Sequence, residues 1–143
     1  MKIQVGADKR TGAVVTVFCR QKGAEDRYVL ETLTAWTEEL GHYAVILQSD
    51  GEPAAMTLMD AVHSGRTMPS LVRTTAKGSK GSLGVVDAVR FVVEARMRTV
   101  LLELEKKLGK KIDTKHILIP WLVRHIGWTF YKVSVEGSWQ DSI

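Results

Sequence analysis

Ala44-Val45-Ile46-Leu47-Gln48-Ser49-Asp50-Gly51-Glu52-Pro53 reads as a short apolar strand running straight into an acidic turn. Its continuously apolar start, residues 44–47, predicts a strand buried on both faces. Asp-Gly predicts the turn, and a short helix over about 54–63 follows Pro53. Further on, Asp87 stands near the start of a long amphipathic helix. Two carboxylates so placed, one at a strand end and one at a helix start, suit joint coordination of a divalent cation for phosphoryl transfer. The same Asp-Gly pair is also an ordinary turn, and neighbouring residues must decide between the two.

Working outward, two β-type runs lie upstream at 2–5 and 13–19, rich in Val and Ile. Asp8-Lys9-Arg10-Thr11-Gly12 between them has hairpin chemistry, so these strands are expected to pair antiparallel. A helix is predicted over about 25–40, with Tyr28, Leu30, Leu33 and Trp36 on its apolar face and Gly41 ending it. Downstream, a brief strand is expected at 70–74. Thr75-Ala76-Lys77-Gly78-Ser79-Lys80-Gly81-Ser82 then reads as a mobile loop carrying two lysines.

The longest helix is predicted over about 83–108, where Val86, Val89, Val93, Met97, Val100, Leu104 and Leu108 step by three or four residues. Gly109 stops it, and Lys106 and Lys107 suit the negative end of its dipole. A last helix, about 115–132, carries Trp121, Ile126 and Trp128. The order β-β-α-β-α-β-α-α predicts an α/β layered fold with helices covering both faces of a mixed sheet. It is organised as one domain over residues 1–135, with a flexible tail at 136–143.

The 143 residues suffice for one domain with a substantial core. A single cysteine, Cys19, excludes an internal disulfide framework and a cysteine-based zinc site, and suits a small buried hydrophobe. No apolar run approaches the ~20 residues of a membrane span, and the N-terminal stretch is not a signal peptide. The expected setting is intracellular, nuclear or cytoplasmic, with no membrane partner. A net charge of +4 is compatible with a nucleic-acid partner without demanding one.

Several stretches together resemble the catalytic core of retroelement integrases, which has a ribonuclease H-like fold. They are Val5-Gly6-Ala7-Asp8-Lys9-Arg10-Thr11-Gly12, Gln21-Lys22-Gly23, residues 45–53, Lys77 through Asp87, and Trp121-Leu122-Val123-Arg124-His125. The resemblance covers about residues 3 to 133, and it lies in the order and spacing of the motifs more than in any one of them. It implies a three-layer fold, and DNA integration by strand transfer on Mg²⁺ or Mn²⁺ held by three carboxylates, without a small-molecule cofactor. The second carboxylate matches Asp50 and the third matches Asp87.

The chain departs from the family in three ways. The strand that bears the first carboxylate has no counterpart, because residues 2–5 match the family's second strand, and Asp8 matches a non-catalytic acidic residue. The third carboxylate is usually a glutamate, so Asp87 is shorter by one methylene, which retracts its oxygens by roughly 1.5 Å. Ala88 stands where arginine is common. The expectation is an integrase-type domain that is a catalytically impaired remnant and marginally stable.

The resemblance puts Lys77 and Lys80 beside substrate DNA. Arg90 is a further candidate for nucleic-acid contact, or pairs with Glu94 on the same helix. Glu52 reads as a surface residue rather than a ligand. His116 and His125 do not share a helix face well, which argues against zinc. Trp121, Trp128 and Tyr131 read as core or interface residues, with base stacking as the alternative. Two function classes follow: DNA binding and integration, or a non-catalytic module that self-associates or binds nucleic acid.

Overall fold

Why the chain folds as it does is read from a computed structural model that describes residues 2–20, 23–74 and 84–141, with side chains as far as residue 129. The elements are β1 (Lys2–Ala7), β2 (Val14–Cys19), α1 (Arg27–Glu39), β3 (Val45–Ser49), α2 (Pro53–Gly65), β4 (Ser70–Thr74), α3 (Gly84–Leu108) and α4 (Leu118–Asp141). The α/β class is as expected. The strands form two two-stranded sheets, β1–β2 and β3–β4, rather than one mixed sheet. They belong to two compact units, the first made of residues 1–18 and 86–143, the second of 19–85.

In the first unit, Asp8 organises the turn between β1 and β2. Its carboxylate accepts from the Arg10 amide at 3.1 Å and the Thr11 hydroxyl at 2.6 Å. Gly12 adopts a φ of 76°, and its amide donates to the Asp8 carbonyl. So short a connection can join only antiparallel neighbours. Ile3 and Val5 alternate inward and meet Val89, Val93 and Met97 of α3, and Ile119, Leu122, Val123 and Ile126 of α4. The α3 stripe is as expected through Leu104; Leu108, at the helix end, is exposed. Gly109 closes α3 with a φ of 70°.

Helix α4 approaches β2 closely. The buried Thr16 hydroxyl donates to the Val123 carbonyl at 2.5 Å. A Cβ at position 127 would stand 2.9 Å from Thr16 Cβ, so only glycine fits there. Residues 130–141 continue the helix past the boundary expected near Lys132, into the stretch expected to be a tail. No proline interrupts that stretch, and Gly137 weakens a helix without stopping it.

In the second unit, β3 and β4 are parallel, with Ile46 opposite Leu71 and Gln48 opposite Arg73. Helix α2 packs on α1, β3 and β4. The Asp26 side chain caps α1 by accepting from the Val29 amide. Val29 and Leu33 of α1, Leu47 of β3, and Leu58 and Val62 of α2 are buried. The buried α1 stripe is thus Val29, Leu33 and Thr37, and Tyr28 lies outside it.

The strand at 45–49 is not buried on both faces: Leu47 is buried, whereas Ile46 is 55% exposed and its partner Leu71 62% exposed. Alternating strand geometry turns those two side chains away from the helices. Arg66, just past α2, is only 8% exposed, and its three guanidinium nitrogens are buried without a hydrogen-bond partner among the described residues. Cys19 is half-buried rather than buried.

Candidate functional site

The expected carboxylates fall in different units. Asp50 follows β3 in the second unit. It is exposed, and its Oδ1 accepts from the Glu52 amide at 3.2 Å, a side-chain turn that leads the chain into α2. Glu52 is an exposed residue at the N-cap of α2, as expected of a surface position.

Asp87 lies in the first turn of α3, where the helix dipole favours a negative charge. Its Oδ1 is 4.0 Å from Arg90 Nη1, with both side chains partly exposed. Arg90 therefore pairs one turn back with Asp87. A marginal pair of this kind contributes little to stability. Both carboxylates thus have local structural duties. Among the described residues no group of three or more His, Cys, Asp or Glu side chains is placed to hold a metal ion. Lys77 and Lys80 lie outside the described residues.

The histidines also have local partners. His116 Nδ1 accepts from the Leu118 amide at the start of α4. His125 stacks on Trp121, with ring centroids 4.9 Å apart and planes 6° from parallel. It also stacks less closely on Trp128, at 6.1 Å and 28°. Trp121 and Trp128 are 58% and 55% exposed, so of the two expected places, core or interface, the core is excluded. The core face of α4 is taken by Ile119, Leu122, Val123 and Ile126. Trp121, His125 and Trp128 follow with an offset of two residues, about 200° around the helix. Tyr131 lies beyond the described side chains.

Charge is distributed unevenly between the units. The first holds thirteen Lys and Arg against eight Asp and Glu, net +5; the second holds seven against eight, net −1. The ten residues 106–115 hold five lysines (Lys106, Lys107, Lys110, Lys111 and Lys115) and one acid, Asp113, so they alone carry +4. All five lysines are exposed, from the last turn of α3 to the connection before α4. That connection is anchored by the Glu105 carboxylate, which accepts from the Ile112 amide at 3.1 Å.

Reading Lys106 and Lys107 as partners of the helix dipole overlooked this concentration. Counting charge in a short window would have found it. Flexible ammonium groups close together in the chain and exposed suit contact with successive phosphates.

Among the described residues no helix is long and apolar enough to cross a membrane. The chain matches no protein-family model, no curated protein and no solved structure.

Proposed function

We propose that this chain is a nucleic-acid-binding domain of the retroelement integrase type, derived from a ribonuclease H-like fold and catalytically impaired. The observation that supports binding most directly is the exposed lysine group at 106–115 within a unit of net charge +5. Phosphate contacts by lysine are sequence-indifferent and salt-sensitive. The integrase ancestry rests on the motifs running from Val5 to His125. The setting that goes with it is intracellular.

The test is titration of labelled DNA duplexes of unrelated sequence with the purified chain. Similar affinities are expected for all of them. Lys110→Glu together with Lys111→Glu should weaken binding by about tenfold or more, and unchanged affinity in the folded double variant would overturn the reading.

Metal-dependent strand transfer, which the integrase resemblance implies for Asp50 and Asp87, is a separate part of the proposal. Calorimetric titration of Mn²⁺ into the chain, and into Asp50→Asn and Asp87→Asn, tests it. Binding lost in each variant supports the metal assignment. Absence of binding in the folded protein leaves nucleic-acid contact without chemistry.

A further inference from the structure

Helix α4 has two faces built on the same spacing. Ile119, Leu122, Val123 and Ile126 are buried in the first unit. Trp121, Arg124, His125 and Trp128 repeat that i, i+3, i+4, i+7 pattern on the opposite side, and all four are exposed. The close seat of Gly127 on Thr16 fixes which side faces inward. Two exposed tryptophans on one face leave a large apolar area in water. The nearly parallel stacking of Trp121 on His125 arranges the rings as a short ladder along the helix.

We infer that this outer face of α4 is a base-stacking surface, and that the nucleic acid bound by the first unit presents unpaired bases. The inference rests on the nucleic-acid reading above and names its substrate class. The charge of the surroundings selects the occupant: Arg124 lies between the tryptophans, and Lys115 precedes α4 by three residues. An apolar partner would gain nothing from these cations, whereas a phosphodiester backbone would meet them while its bases stack. From residue 121 to 128 the helix rises about 10.5 Å, a length the three stacked rings themselves span, so bases would stack on the outer ring faces at the two ends of the ladder. A duplex keeps its base faces within its own stack and can offer them only at its ends.

The experiment uses the full chain with a labelled oligothymidylate and with a closed DNA hairpin duplex of equal phosphate number. The double variant Trp121→Ala, Trp128→Ala should lose about ten- to a hundredfold in affinity for the single strand and keep its affinity for the duplex. Trp121→Phe with Trp128→Phe, which keeps flat aromatic rings, should recover most of the loss. Equal losses on both nucleic acids, or no loss on either, would overturn the stacking assignment. So would conversion of a dimer to a monomer with single-strand affinity unchanged, which would give the face to a second copy of the chain. If Lys110→Glu with Lys111→Glu weakens both ligands while the tryptophan variant weakens neither, the stacking inference fails and the nucleic-acid reading survives. A chain that binds neither ligand overturns both.

Discussion

Gly127 of α4 lies directly over Thr16 of β2, with no room for a side chain between them. The Thr16 hydroxyl also donates to the Val123 carbonyl one turn earlier, so helix and strand are joined by contact and by a hydrogen bond. Helix propensity alone favours Gly127→Ala by about 1 kcal/mol. Overpacking costs about 1–3 kcal/mol, because the obstruction includes Thr16 Cβ as well as its movable hydroxyl. Gly127→Ala is therefore expected to lower stability in denaturant titration. Adding Thr16→Gly, which removes the obstructing side chain, should relieve the clash term, visible as a favourable coupling in the double-mutant cycle.

In the second unit, Leu47 and Ile46 are neighbours on β3 with opposite exposure. Leu47→Ala should cost about 2–5 kcal/mol, as expected for truncating a buried leucine. Ile46→Thr should change stability by no more than about 0.5 kcal/mol, since the residue is exposed and threonine keeps the β-branched shape. Equal costs at the two positions would show that Ile46 is covered in solution.

Arg66 carries a buried guanidinium without hydrogen-bond partners among the described residues. An unsatisfied buried polar group costs about 1–3 kcal/mol, and more when charged. Arg66→Met keeps much of the apolar stem and removes the charge, so the melting temperature should stay level or rise. A marked drop would reveal an acceptor for Arg66 in solution.

Much of this architecture was legible in the sequence because local signals and packing agree. Gly41 and Gly109 both adopt positive φ where helices were expected to end, and the Val89–Val93–Met97 stripe is buried as its spacing predicts. Strand pairing was less legible. Ala44 to Leu47 is apolar throughout, and a run of that kind does not reveal that one of its faces stays open. The aromatic residues of α4, expected in the core or at an interface, were left open for a related reason: one helix carries two apolar stripes, and composition alone does not tell which of them faces the core. The carboxylates were found as residues, but their local hydrogen bonds depend on backbone geometry that a motif does not contain. The lysines at 106–115 were readable, and were hidden by assigning two of them to the helix end.

On the proposed function, the first unit holds nucleic acid through phosphate contacts made by these lysines. The most direct test is the salt dependence of DNA affinity, measured by fluorescence anisotropy for the chain and for Lys110→Glu with Lys111→Glu. Affinity should fall linearly on a log–log plot, with a slope of about −0.9 for each phosphate neutralised, and the double variant should show a slope shallower by about two. An affinity indifferent to salt, or a slope the double variant leaves unchanged, would contradict the account.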